Sequence, residues 1–172
     1  MALNPALAAI DNEVTASKQH IREDIMSVDD KLRGVEGAFI GDSSYCPLNH
    51  TFSDGIYVRE IFIPADTMLV GKIHKHDHPN FLMSGKVLVV TENGMEELQG
   101  PMSMISPAGT KRVVHAITDT VWITVHLNPT NTQDLALLEK EVIADSYEDY
   151  ERFIKTTKKE NRLISFFKKL IR

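Results

Sequence analysis

Residues 71–94 read GKIHKHDHPNFLMSGKVLVVTENG, and this stretch decides the fold. Its second half, Gly85-Lys-Val-Leu-Val-Val-Thr91, is a β-branched run that closes on Thr91-Glu92-Asn93-Gly94, an Asn-Gly hairpin signal between two strands. Its first half sets His74, His76 and His78 at alternate positions. In an extended strand alternate side chains share a face, so three imidazoles within about 13 Å of strand can converge on one ion where the strand bends. Pro79 supplies a place for that bend. Neutral imidazole is a common ligand for Zn, Fe, Ni or Cu, and no cysteine competes in this stretch. The alternative is a set of loop histidines that face solvent or are held by hydrogen bonds.

Outward from this stretch, residues 36–128 keep the same texture. Runs rich in Val, Ile, Phe, Tyr and Thr (IYVREIFI, MLVGKIH, SMIS, RVVHAI, VWITVH) alternate with the turn signals GDSSYCP, SDG, IPADT, SPAGT and TDT. Six to nine short strands without a helical interruption predict a β-sandwich or small barrel. In the last of them Trp122, Thr124 and His126 share one face and Val121, Ile123 and Val125 the other. Parity alone does not say whether Arg59 or Glu60 of IYVREIFI points inward.

These residues resemble the cupin superfamily. Gly71 to Gly85, with its H-x-H and closing Gly, resembles the first cupin motif, and Gly100-Pro-Met-Ser-Met-Ile-Ser-Pro-Ala-Gly-Thr-Lys-Arg112 resembles the second, in which P-x-G precedes a ligand His. The likeness covers roughly residues 50–128, and short cupin-like proteins of tailed phages are similar to the same stretch. It implies an all-β, double-stranded β-helix (jelly roll) that holds a divalent transition metal such as Zn, Fe, Mn or Ni. Two departures stand out. Arg112 occupies the place of the second motif's His, and the first motif's Glu is missing. An ungapped count from Gly85 puts His78 in the Glu place with Lys72 and His74 in the H-x-H places; a shortened turn puts His74 and His76 there instead. In the jelly roll the last strand runs antiparallel beside the strand that opens at the Glu place, which brings His126 next to His78. The metal-ligand candidates are therefore His74, His76, His78 and His126, with His115 the weakest further one. Lys111 and Arg112 follow the P-A-G turn at the rim where cupins open, and are the candidates for holding a carboxylate or phosphate. A solvated surface pair is the alternative.

The flanks are helical. Leu3, Leu7, Ile10, Val14, Ser17 and Ile21 form an a/d stripe, read as a short coiled coil or as a helix packed on its own domain. Toward the other end, Thr132 or Asn131 can cap DLALLEKEVIA, and Ser146 with Asp149 opens a further helix with a capping box. The expected organisation is an N-terminal arm (1–35), a β domain (36–128) and a C-terminal extension (129–172). The net charge of −5 divides unevenly, −11 over residues 1–154 and +6 over 155–172. The acidic body is a poor nucleic-acid binder. The final helix sets Leu163, Phe166, Phe167, Leu170 and Ile171 against Arg162, Lys168, Lys169 and Arg172, a pattern that suits docking on the acidic body, a protein partner or an anionic membrane.

No apolar run is long enough to cross a bilayer, the N-terminus lacks the pattern of a secretory signal, and the single Cys46 excludes an internal disulfide, so a cytoplasmic protein is expected, in the host cytoplasm if phage-encoded. The sequence has no GxSxG, GxxxxGK[ST] or GxGxxG, and His50 four residues after Cys46 does not make a dyad. Two functions remain. One is a metal-binding protein for a small polar or anionic ligand, with oxygenase or isomerase chemistry as its catalytic form. The other is a non-catalytic binding or assembly module with a degenerate site, whose helical arms engage a partner such as a virion or host component. Either fits a homo-oligomer, because flanking arms can cover the edge strands of a jelly roll.

Overall fold

The computed structural model describes residues 5–39, 41 and 43–170, with side-chain surroundings for all but 5–12, 160–163 and 165–170. Two antiparallel sheets face each other. The first joins β1 (Leu48–Ser53), β2 (Ile56–Ile63), β10 (Thr120–Leu127), β5 (His78–Ser84) and β8 (Met102–Ser106), in that order. The second joins β3 (Met68–Val70), β9 (Val113–Ala116), β6 (Lys86–Thr91) and β7 (Gly94–Gln99). Apart from the β1–β2 and β6–β7 hairpins the chain passes back and forth between the sheets, as in a cupin-like jelly roll, and helices flank it at both ends. Apolar residues at alternate strand positions explain the closure. Ile63, Leu82 and Trp122 of the first sheet meet Val87, Val89, Leu98, Val114 and Ala116 of the second in one buried cluster.

The expected strand IYVREIFI is β2 from end to end. MLVGKIH is split by Gly71-Lys72 into β3 and a short β4 (Ile73–His74). The Asn-Gly hairpin forms with its turn one residue earlier than the motif suggests: Thr91 pairs with Gly94, Glu92 and Asn93 make the loop, and Gly94 takes φ +115°. Gly85 ends β5 at φ +95°, where a Cβ would lie 2.3 Å from Thr120 Oγ1, so backbone angle and space both demand glycine.

Helix α1 (Pro5–Arg33) packs on its own β domain. Ile25 is buried, Arg22 forks onto Glu92 at 2.5 and 3.0 Å, and Asp29 meets Lys111 at 2.8 Å. Val14 of the a/d stripe is exposed, while Leu3, Leu7 and Ile10 lie outside the described side chains. Helix α2 (Leu135–Val142) is capped by Asp134, whose carboxylate accepts from the Ala136 and Leu137 amides; Thr132 instead accepts the Asp134 amide, and Asn131 ties down Asp54 and Gly55. The chain then forms β11 (Ile143–Ala144), which the sequence reading had continued as helix, and α3 (Tyr147–Leu170). Ser146 accepts the Asp149 amide and Asp149 accepts that of Asp145, a variant of the expected capping box. The basic and apolar face proposed for residues 162–172 lies outside the described side chains, apart from Ile164.

Candidate metal centre

Three histidines meet at one end of the barrel. His74 ends β4, His78 opens β5, and His126 lies near the end of β10. β10 runs antiparallel to β5, with Thr124 opposite Asn80, so His126 falls beside His78 as the topology of the resemblance implies. Ring centroids are 4.1 Å apart for His74–His78, 4.8 Å for His74–His126 and 4.7 Å for His78–His126, and one ring nitrogen of each lies within 4.8 Å of those of the others.

His76 lies apart from this cluster. Residues 75–77 form the bend, upstream of Pro79, so the alternation expected of a continuous strand ends at His74. The His76 ring is exposed and sets its edge against Phe153, at 5.2 Å between centroids. The histidines that cluster are those of the ungapped register, His74 with His78 in the place of the missing Glu. His115 lies on β9 opposite Leu88 and Met68, away from the cluster.

Hydrogen bonding leaves ligand atoms free. His78 Nδ1 donates to the His76 carbonyl at 3.2 Å, which turns Nε2 toward the cluster. That Nε2 and the Nδ1 of His74 are buried without a hydrogen-bond partner. Asn80 fixes the backbone behind His78: its Nδ2 donates to the His78 carbonyl at 3.2 Å and its Oδ1 accepts from Trp122 Nε1 at 2.9 Å. Burial keeps all three imidazoles neutral. It drives His74 far below the ordinary histidine range, with help from His78, His126, Arg112 and Arg59. It lowers His78 as well, and takes His126 down to about 3, assisted by His78 and Arg59. Unpartnered nitrogens on neutral buried imidazoles are the donor set that a divalent transition metal requires.

The cluster forms the floor of a cavity of about 330 Å³. His50, bonded to the Tyr57 hydroxyl at 2.8 Å, lines one side, and α2 with β11 covers the other through Leu138 and Val142. β11 pairs with β4, Ile143 opposite His74, so the C-terminal extension holds a ligand strand directly. Lys72 and Glu139 pair at the mouth.

Lys111 and Arg112 part ways. Lys111 is buried against Asp29 of α1, where burial opposes the carboxylate's charge but hydrogen bonds from Lys111 and Arg33 hold its pKa below the usual range. Arg112 turns into the cavity, bonds the Ser106 hydroxyl and lies 5.7 Å from the Trp122 ring. Burial lowers it to about 10. The P-A-G turn before them packs on α3: Gly109, at φ +80°, abuts the Tyr150 ring so closely that a Cβ would lie 2.3 Å from it. Arg59 lines the same cavity, which resolves the parity of β2, while Glu60 faces out and accepts from Asn49 at 3.0 Å. That Arg59 rather than Glu60 enters the cavity, and that the expected helix α2 covers it, were beyond sequence reasoning; the signal for Arg59 was the Arg-Glu pair in an otherwise apolar strand.

A jelly-roll barrel with inward imidazoles at one end defines a cupin-like fold with a candidate metal centre. Among solved structures the chain is similar to a cupin superfamily protein from Desulfitobacterium hafniense DCB-2 (9% identity, TM-score 0.43, 52% of this chain and 84% of that one). It is likewise similar to a cupin domain from Bordetella pertussis Tohama I (18%, TM-score 0.40, 52% and 99%). A third likeness is to salicylate 1,2-dioxygenase from Pseudoaminobacter salicylatoxidans (12%, TM-score 0.46, 63% and 31%). No family model matches the chain, and no curated protein matches it in sequence. The strand order, more than these distant likenesses, carries the fold.

Proposed function

We propose that this chain binds a divalent transition metal (Zn, Fe, Mn or Ni) through His74, His78 and His126, and takes up a small polar or anionic ligand in the cavity beside Arg112. The observation that carries this reading is the convergence of three neutral imidazoles, two of which, His74 and His78, hold a buried nitrogen without a hydrogen-bond partner. A metal with three protein ligands keeps positions open, and there supplies Lewis-acid activation of water, dioxygen or a substrate carbonyl. The chain's own contribution is to hold the imidazoles neutral, to exclude water with α2 and to offer Arg112 to the ligand. The cytoplasm is the compartment this reading assigns, supported by the single free cysteine; among the described residues no helix is long and apolar enough to cross a membrane.

Elemental analysis of the purified, untagged protein tests the assignment. Near-stoichiometric metal in the parent, none in His74→Ala and full content in His76→Ala are expected. A parent that stays empty after dialysis against each ion refutes it.

One observation favours an assembly role beside ligand binding. The outer face of the five-stranded sheet carries Phe62, Phe81, Met83 and Ile105, all exposed, next to Val121 and Ile123. A second copy of the chain, related by a two-fold axis, is the partner that a largely apolar face of this kind, with Glu60 opposite Ile123, suits. Light scattering of the parent beside Phe81→Glu checks it: a dimer that becomes monomeric is expected, and a monomeric parent refutes it.

A further inference from the structure

The cavity above the histidines holds a guanidinium, that of Arg112, which none of its described lining residues neutralises. Besides the histidines and Tyr57, its ionisable lining is Arg59, Lys72, Arg112 and Glu139. Lys72 and Glu139 pair with each other at the mouth, and the described lining residues include no second carboxylate. Arg112 is held by a neutral hydroxyl, on Ser106, and by the face of Trp122; among the described residues no carboxylate lies within ion-pair distance of it. A guanidinium withdrawn from water without a counter-anion is costly, and a ligand that brings the anion recovers that cost.

Arg112 and Arg59 line the cavity together with His74, His78 and His126. The remaining wall is largely apolar, formed by Ile61, Leu69, Trp122, Leu135 and Leu138. The volume, about 330 Å³, is at the small end of ligand pockets. A planar guanidinium fork matches a carboxylate in two parallel hydrogen bonds, and apolar walls match a hydrocarbon body far better than a hydrated inorganic ion.

We infer that the ligand class is a small carboxylate with an apolar body, its carboxylate on Arg112 and its body against Trp122 and Leu138. The inference rests on the metal-and-ligand reading above and narrows it. Arg112, which stands where the resembling motif has a histidine, is then a change of task from metal ligand to anion holder.

Trp122 is the chain's one tryptophan and lines this cavity, so its emission reports on the site. The full chain, with and without added Zn, is titrated with cyclohexanecarboxylate and, separately, with cyclohexanecarboxamide, which has the same body and no charge. A saturable change at least tenfold tighter for the carboxylate is expected. Arg112→Gln loses at least tenfold, and Arg112→Lys, which keeps the charge but not the fork, falls between. Should Arg112→Gln fail to fold by circular dichroism, Arg112→Lys decides. Equal binding of acid and amide, a lysine variant that titrates like the parent, or stronger displacement by inorganic phosphate overturns the assignment. Metal content of the same samples separates the two readings. A parent that binds the carboxylate but no metal defeats only the metal reading, whereas one that binds metal and ignores the carboxylate defeats only this one.

Discussion

The two ends of the barrel interior are built by the same strands and have opposite chemistry. On β2 the inward positions run from Tyr57 and Arg59 to Ile61 and Ile63; on β5 from His78 and Asn80 to Leu82; on β10, read backwards, from His126 and Thr124 to Trp122. One end is apolar and packed into the core, the other titratable, and the cavity over the titratable end reaches down to Ile61, Ile63 and Trp122. The four-stranded sheet has no such gradient: Val87, Val89, Leu98 and Val114 all belong to the core. Stability and chemistry are therefore separated along the strands of one sheet, and each end can be altered while the other reports.

The largest effect belongs to the closed end. Leu82 is fully buried in the core, and Leu82→Ala is expected to cost about 3 kcal/mol, within the usual 2–5, while the folded fraction keeps its metal. Denaturant unfolding with elemental analysis checks both halves of that statement. Next comes the open end with metal present. His126→Ala removes the stabilisation that a bound ion gives, about 2.7 kcal/mol at a hundredfold excess over Kd, so its melting temperature no longer rises on adding metal. Equal metal-induced shifts in parent and variant would erase the proposed difference between the ends.

An effect that accumulates over pH units, rather than coming from one substitution, is set by pH in the metal-free protein. His126 titrates at about 3 when folded, and His74 and His78 are also lowered, so below the unfolded histidine value of about 6.5 the unfolded chain binds more protons than the folded one. Stability is complete above that value and falls as pH drops from about 6.5 toward 3, by about 1.4 kcal/mol per pH unit for each histidine still neutral. Thermal melts across this range follow the slope, and His126→Ala flattens it. The smallest effect sharpens the comparison from just outside the site. His76 is exposed on the bend, so His76→Ala is expected to leave metal content unchanged and stability within about 0.5 kcal/mol, read by the same melts.

Much of this division is written locally in the chain. Period-two alternation marks β2 and β10 and puts Trp122, Thr124 and His126 on one face, and the histidine-rich stretch marks the open end. What resisted reading depended on distant partners. Lys111 and Arg112 are neighbours of equal charge, and only Asp29, on a helix at the far end of the chain, separates their fates. The bend at 75–77, which excludes His76, arises where β4 breaks off to pair with β11, and nothing near His76 announces that pairing. Residues Ile143-Ala144 read as the tail of a helix because a two-residue strand has no periodicity of its own; the open edge of β4 makes them a strand.

That small ladder sets an order of events during synthesis. His74 leaves the ribosome well before Ile143, its partner in β11. Until then β4 has a free edge and the three imidazoles lack the helix that roofs them. Completion of the candidate metal centre thus waits for β11, and a chain cut short after β10 keeps every candidate ligand while losing the strand that holds His74 in place.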